Sequence, residues 1–376
     1  MTTAQAAWLN DLQALVTNRL EIDRLQGQRV AAILGDVPST YAKSPKLWNA
    51  AFRALELPAI YVPLDVPQGR LADVVQQLRA SDQYLGGSVT VPYKVEIMPL
   101  LDRLDPLAER IGAVNVIARS ADGTLTGYNT DGLGGLNALV APVLAGSRRP
   151  ALDLAGARVL LIGSGGAAQA VAFFFWEQMA RGELTIANRT LAPAEALVKR
   201  LGALRTGALR AVSDAALNDA AAKADLIINA SVKGQAGIRK LPDGRWTCLE
   251  PYSALAPAEP VALSAMPGQE ASFWAAWFEQ ARQGIVHNQE QSLELCARLP
   301  KAALCYDIIY APLETVFLRH ARWSGHPAVN GKEMNIVQAV EAFMRHVCPE
   351  WLQAMGVDLA AAHPKVAHAM AEEWTK

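Results

Sequence analysis

A lysine and an aspartate carry the most direct chemistry in this sequence. Lys94 closes the stretch Gly86-Gly87-Ser88-Val89-Thr90-Val91-Pro92-Tyr93-Lys94, and Asp131 stands in Gly127-Tyr128-Asn129-Thr130-Asp131-Gly132. Held together, such a pair makes a tunable proton carrier, because burial lowers a lysine pKa and a neighbouring carboxylate raises it. The competing reading is a solvated surface pair, which contributes little. The elements around the two residues must therefore decide. Val89, Thr90 and Val91 favour a strand, and Pro92 cannot continue a central one. That sets Lys94 in the turn past a strand end or at the start of the next helix.

A second chemical signal lies further along. Arg158-Val159-Leu160-Leu161-Ile162 reads as a buried strand running into Gly163-Ser164-Gly165-Gly166-Ala167-Ala168 and then an apolar helix to about Met179. Glycines between a strand and a helix let the backbone approach a pyrophosphate, whose charge is met by helix N-terminal amides. The next strand, Leu184-Thr185-Ile186-Ala187, ends in Asn188-Arg189-Thr190 with no acid. A ribose 2′-hydroxyl is usually met by Asp or Glu at this place, and a 2′-phosphate by Arg. The sequence therefore predicts NADP, with NAD not excluded.

Strand–helix alternation surrounds both signals and predicts an α/β fold with parallel strands. Residues 4–25 carry Leu9, Leu12, Leu15, Val16 and Leu20 at helical spacing; strands follow at 30–34, 59–64 and 113–118, and helices at 46–55, 71–80 and 131–140. Asp122-Gly123 marks a turn, and 146–150 a polar linker. Residues 224–230 form a strand entering the loop Ser231-Val232-Lys233-Gly234, and 302–309 the last strand, before Tyr310. Residues 238–300 read poorly: Trp246, Phe273, Trp274 and Trp277 suit a core, and Pro251 to Pro267 an inserted loop. A helix over 335–347 bears Gln338, and the tail beyond 350 reads as helix interrupted near Pro364.

At 376 residues two domains are the natural division. The residues set a junction near 131–135, and the family resemblance given below implies bounds of 1–132 for a substrate-binding domain, 133–328 for a Rossmann-like dinucleotide domain, and 329–376 for C-terminal helices that return to the first. Thirty-five basic and thirty-six acidic residues give a charge of −1, which offers no electrostatic case for nucleic acid or an anionic membrane. No run approaches the ~20 apolar residues that span a bilayer. Cys248, Cys296, Cys305 and Cys348 are scattered, and no histidine stands at ligand spacing. The expectation is reduced thiols, no metal and a cytoplasmic protein without a signal peptide.

Taken together, the motifs resemble the shikimate dehydrogenase family over about Val30 to Val347. Ser88 to Lys94 resembles its lysine motif; Gly112-Ala113-Val114-Asn115 and Gly127 to Gly132 resemble its next two; Gly163-Ser164-Gly165-Gly166 and Asn188-Arg189-Thr190 its cofactor motifs. Asp307-Ile308-Ile309-Tyr310-Ala311-Pro312 and Asn330-Gly331 to Met334-Asn335-Ile336-Val337-Gln338 resemble its closing ones. The resemblance implies reversible hydride transfer between NADP(H) and a ring alcohol or ketone bearing a carboxylate, of the 3-dehydroshikimate to shikimate type. Lys94 and Asp131 would be catalytic, and Ser44, Ser88, Thr90, Asn115, Tyr310 and Gln338 would hold the substrate, with Asp131 also accepting from a substrate hydroxyl. Gly163, Ser164, Gly165, Gly166, Ala167, Asn188, Arg189 and Thr190 would hold the cofactor.

Four positions depart from the family pattern. Tyr41-Ala42-Lys43-Ser44-Pro45 stands where the family has a histidine and then Ser-x-Ser-Pro, so one hydroxyl for the substrate carboxylate is missing. Either Tyr41 or Lys43 compensates, or the substrate differs. Ser88 replaces the usual Asn, and Pro193 stands where a second basic residue often follows. Quinate or another polyhydroxy-ring acid is the alternative substrate, and a non-catalytic NADP(H)-binding regulatory protein the alternative of another class. A homodimer stays an open expectation.

Overall fold

The computed structural model describes residues 3–140, 152–241, 243–264 and 270–376. The polar linker read at 146–150 and the end of the proline-rich stretch lie outside the described residues. The chain divides into two compact units, the first holding Met1–Asn137 and Met334–Lys376, the second Gly146–Glu333.

The first unit begins with α1 (Thr3–Leu15) and α2 (Ile22–Leu25). In chain order follow β1 (Arg29–Gly35), α3 (Pro38–Tyr41), α4 (Ser44–Ala54), β2 (Ala59–Asp65), α5 (Leu71–Ala80) and β3 (Tyr84–Val89). Next come β4 (Arg103–Leu104), α6 (Pro106–Ile111), β5 (Val116–Arg119), β6 (Leu125–Tyr128) and α7 (Asp131–Val140). The periodicity of residues 4–25 predicts one helix, but the chain breaks it to serve the sheet. Thr17 N donates to Asp65 O at 2.9 Å, Asn18 Nδ2 to Pro63 O at 3.0 Å, and Asp65 N to Asn18 Oδ1 at 2.7 Å. These bonds cover β2, which is the outermost strand of its sheet.

The sheet runs β2-β1-β3-β5-β6-β4. β2 and β3 flank β1 in parallel, whereas β5 is antiparallel to both β3 and β6. It is therefore mixed, not wholly parallel as the alternation suggests. The turn at Asp122-Gly123, where Thr124 N donates to Asp122 Oδ1 at 2.9 Å, joins β5 and β6 as a hairpin, and a short connection of this kind requires antiparallel strands. β5 also starts three residues later than its apolar run implies. Val114 N is already bonded to Lys94 O at 2.7 Å, so Ala113–Asn115 serve the turn instead. Val30, Leu34, Leu64, Val74, Leu78 and Ile117 form the buried centre of this unit.

The second unit contains β7 (Arg158–Ile162), α8 (Gly166–Gln178), β8 (Glu183–Ala187), α9 (Leu191–Gly202), β9 (Ala208–Val212), α10 (Leu217–Ala221) and β10 (Leu226–Asn229). A small hairpin, β11 (Ile238–Lys240) with β12 (Trp246–Cys248), and the long helix α11 (Glu270–Arg298) occupy the stretch that reads poorly in sequence. Phe273, Trp277 and Tyr252 bury together there, with Trp246 and Trp274 packed against them. β13 (Leu304–Asp307), α12 (Val316–Trp323) and β14 (Ala328–Val329) complete the unit. Its sheet order is β14-β13-β10-β7-β8-β9, with every pairing parallel. This is the doubly wound dinucleotide-binding order, which reverses direction between β7 and β10.

Three further helices follow, α13 (Lys332–Glu341), α14 (Pro349–Ala354) and α15 (Leu359–Trp374), with a π-helical turn extending α13 to Val347. Phe343 in that turn lies 5.1 Å from Trp48 and 5.3 Å from Phe52 between ring centroids, which anchors the returning chain on α4. The tail does not break at Pro364, which lies inside α15. It breaks at Gly356, whose φ is +74°, and Asp358 then caps α15 by accepting from Ala360 N at 2.9 Å. Among the described residues no helix is long and apolar enough to cross a membrane, and no cluster of three or more His, Cys, Asp or Glu could hold a metal.

Candidate active site

β3 ends at Val89, and Lys94 lies in the turn that follows, pinned by the Val114 bond to its carbonyl. α7 starts at Asp131. The Lys94 Nζ stands 2.5 Å from Asp131 Oδ2, and the two side chains are only 14% and 8% exposed. A pair this buried is weak evidence for stability, since desolvation offsets attraction, but breaking one costs about 3–5 kcal/mol.

The other carboxylate oxygen is held as well. Asn115 Nδ2 donates to Asp131 Oδ1 at 2.8 Å and approaches Thr130 Oγ1 at 3.0 Å and Gln338 Oε1 at 3.3 Å. Asn115 Oδ1 accepts from Thr130 N at 2.8 Å, and the Thr130 hydroxyl donates to Gln338 O at 3.1 Å. Asp131 N donates to Asn129 Oδ1 at 3.1 Å. Four residues singled out in sequence, Lys94, Asn115, Asp131 and Gln338, thus share one buried network. Thr130 and Asn129 also belong to it. Sequence reasoning passed over them, although both stand inside the Asp131 motif.

The remaining substrate candidates are placed differently. Ser88 is 5% exposed in β3 and its hydroxyl has no partner among the described residues, while its N–H donates to the Tyr61 hydroxyl at 3.1 Å. A buried hydroxyl without a partner is costly and calls for an explanation, of which a ligand is one. β3 pairs Ser88 with Val116, the neighbour of Asn115. Thr90 is half-buried, with its N–H on Leu34 O at 2.8 Å, and Ser44 is buried at the start of α4; neither joins the network. Tyr310 belongs to the second unit, just past β13. The two candidates for replacing the missing hydroxyl at Ala42 are engaged elsewhere. Tyr41 donates to Asp36 Oδ1 at 3.1 Å, and Lys43 Nζ lies 5.0 Å above the Trp374 ring.

In the second unit, β7 delivers its glycine turn to the start of α8. Gly163 has φ +112°, and a Cβ there would stand 2.9 Å from Ala230 O, so the turn is pressed against the loop after β10 where the sheet order reverses. Gly165 differs: it is exposed, with φ −70°, and a Cβ there would meet nothing within 4 Å. The fold requires the first glycine but not the second. Open space at a helix start without a side-chain cap is what an approaching pyrophosphate needs, so these residues fit a dinucleotide. Asn188 Nδ2 donates to Thr190 O at 2.7 Å, and Arg189 and Thr190 are exposed at the end of β8.

Sequence reasoning missed two features at these strand ends. Lys233 stands 3.7 Å from Asp214. Asp307, fully buried at the end of β13, accepts from Thr315 Oγ1 at 2.7 Å, Asn229 Nδ2 at 3.0 Å and Ile309 N at 3.0 Å. Burial pushes its pKa up to about 7, against the opposing effect of those donors. The loop that carries Lys233 is legible after its strand, but its contact with Asp214 is not, because Asp214 has no local signature.

A doubly wound nucleotide-type sheet, joined in one chain to a unit carrying a buried lysine–aspartate pair, defines a dehydrogenase-type architecture. Residues 34–117 match the shikimate dehydrogenase substrate binding domain, and residues 144–240 match shikimate / quinate 5-dehydrogenase. The chain is 32% identical to the shikimate dehydrogenase (NADP(+)) of Lysinibacillus sphaericus over 83% of its own length and 90% of that protein's. It is 34% identical to that of a Geobacter species over 84% and 88%. Among solved structures, the Thermus thermophilus shikimate 5-dehydrogenase in complex with NADP(H) and shikimate superposes with a TM-score of 0.58, at 27% identity over 90% of this chain and 99% of that one. The chain belongs to the shikimate dehydrogenase family.

Proposed function

We propose that this protein is an oxidoreductase that transfers a hydride between NADP(H) and a shikimate-like ring hydroxy acid, in the manner of 3-dehydroshikimate reduction to shikimate. The observation that carries it is the buried Lys94–Asp131 pair, locked by Asn115 within a chain of this family. NADP(H), when bound, supplies or accepts the hydride; the other tasks fall to the chain. In the oxidation direction the reacting ring hydroxyl gives its proton to Lys94, and in reduction Lys94 returns it to the ketone oxygen. Asp131 orients Lys94 through Oδ2 and accepts from a substrate hydroxyl, while Asn115 holds Oδ1.

Ser44, Ser88, Thr90, Asn115 and Gln338 supply further hydrogen bonds to the ring acid, and family resemblance adds Tyr310. The unpartnered Ser88 hydroxyl supports its place in this set. The amides of Gly165, Gly166 and Ala167 at the start of α8 take the pyrophosphate, beside Gly163 and Ser164, and Asn188, Arg189 and Thr190 take the adenosine end, with Arg189 and Thr190 on the 2′-phosphate. Four free, buried cysteines suit a reducing compartment and support a cytoplasmic setting.

A second reading concerns the substrate. Both Tyr41 and Lys43 have other partners, which supports a ring acid whose carboxylate needs only the Ser44 hydroxyl, quinate included. The deciding experiment incubates the protein with NADP+ or NAD+ and shikimate, quinate or aminoshikimate, and follows the absorbance of the reduced cofactor. Shikimate with NADP+ is expected to give the highest kcat/KM. Cofactor binding without turnover of any acid would leave the regulatory alternative standing instead.

A further inference from the structure

β8 itself runs into Asn188-Arg189-Thr190, without an acid. The fold brings one in from the next strand. β8 and β9 pair in parallel with Ala187 opposite Val212, and Asn188 N extends the pairing by donating to Val212 O at 3.1 Å. Arg189 and Asp214 therefore each stand two residues past paired positions, on adjacent strand ends. A carboxylate at this edge, left to itself, would pair with Arg189 and would favour a ribose hydroxyl over a 2′-phosphate.

Asp214 is not left to itself. Lys233 Nζ stands 3.7 Å from Asp214 Oδ2, and their side chains are 16% and 19% exposed. The same ammonium donates to Ala256 O at 3.0 Å, an oxygen that also accepts from Asn288 Nδ2 of α11 at 3.2 Å. The Lys233 backbone is fixed too, because Asn229 Nδ2 donates to its carbonyl at 3.0 Å and its N–H donates to Ser231 Oγ at 3.2 Å. This lysine thus joins the β9 and β10 strand ends to the segment before α11. Burial pushes its pKa down, Asp214 pulls it back up, and the positive charge of Arg189 pushes it down further, so the two cations lie within each other's field.

We propose that Lys233 is a specificity-determining residue for the cofactor: by holding Asp214 it keeps Arg189 free for the 2′-phosphate of an adenine dinucleotide. It acts as a positioning residue through Asp214. The inference rests on the NADP reading above and names the device that enforces it.

The test measures binding by calorimetry, with 2′,5′-ADP and 5′-AMP as probes on the full chain. The wild type is expected to bind 2′,5′-ADP more tightly than 5′-AMP. Lys233→Met should weaken 2′,5′-ADP about tenfold, the scale of one charge-assisted contact, and leave 5′-AMP unchanged. Adding Asp214→Asn to Lys233→Met should restore 2′,5′-ADP binding, and Asp214→Asn alone should preserve or tighten it. Equal weakening of both probes by Lys233→Met, or of neither, overturns the proposal, as does weaker 2′,5′-ADP binding in Asp214→Asn. If the wild type shows no preference for 2′,5′-ADP, the NADP reading itself fails, which is a distinct result.

Discussion

The Asn115 amide and the Gln338 side-chain carbonyl meet at 3.3 Å although 223 positions separate them in the chain. Asn115 is the hub through which the returning α13 reaches the Asp131 carboxylate. Replacing it by alanine strips buried partners from Asp131 Oδ1 and Thr130 N at once. Each buried polar group left without a partner costs roughly 1–3 kcal/mol. Asn115→Ala should lower the urea midpoint with an unchanged m-value and reduce kcat beyond what the lost folded fraction explains. An unchanged midpoint would show that the network carries no stability.

Lys94→Ala should reduce kcat by roughly 10²–10⁴, the range ascribed to a positioned proton carrier. Because Lys94 lies in the first unit and the glycine turn in the second, NADP+ affinity by fluorescence titration should stay at the wild-type value. The two measurements together separate a lost reaction step from a lost fold. Near-normal turnover in the variant would remove Lys94 from the reaction.

What could be read from the sequence follows from how local each signal is. The glycine turn between β7 and α8 is legible because its residues are contiguous and their context is a strand and a helix. The Lys94 and Asp131 turns are legible for the same reason, but the bond between them spans 37 positions and only the fold makes it. The network through Asn115, Thr130 and Gln338 joins segments more than 200 positions apart, and the Phe343 contacts with Trp48 and Phe52 that seat the returning chain likewise have no local pattern. The α11 helix was hidden for a different reason. Its buried positions Phe273, Trp277, Ala281, Ile285, Asn288, Ser292 and Leu295 keep helical spacing, yet two of them are polar and interrupt an apolar periodicity. Asn288 is buried there because its amide serves the carbonyls of Ser253, Ala256 and Pro257. The β5–β6 hairpin and the break after α1 likewise follow from pairing across the sheet, which alternation of elements does not encode.

The two glycines of the β7–α8 turn should respond differently to the same change. Gly163→Ala forces a Cβ to 2.9 Å from Ala230 O at φ +112°, so it should destabilise the protein by about 1–3 kcal/mol. Gly165→Ala adds a methyl group where nothing lies within 4 Å, at a φ of −70° that alanine adopts freely. Its melting temperature should match the wild type while NADP+ affinity falls by about tenfold or more, because the methyl fills the space a pyrophosphate would enter. Full NADP+ affinity in Gly165→Ala would place the pyrophosphate elsewhere.

Asp307 should make stability depend on pH in a direction opposite to that of most carboxylates. Its pKa is raised by burial from the usual carboxylate range to about 7 in the folded protein. Between those two values the folded state holds the proton more tightly than the unfolded state does. The contribution of this group is therefore fully present below about pH 4 and is lost as the pH rises through about 7, on the order of 1 kcal/mol per pH unit in that window. Asp307→Asn mimics the protonated acid: its carbonyl can still accept from Asn229 and Ile309, and its amide can donate to Thr315. The stability of the wild type relative to this variant should thus decline from pH 5 to pH 7 and level off by pH 8, as read from paired urea titrations. A relative stability that grows with pH would mean that the donors from Thr315, Asn229 and Ile309 outweigh burial and keep Asp307 ionised.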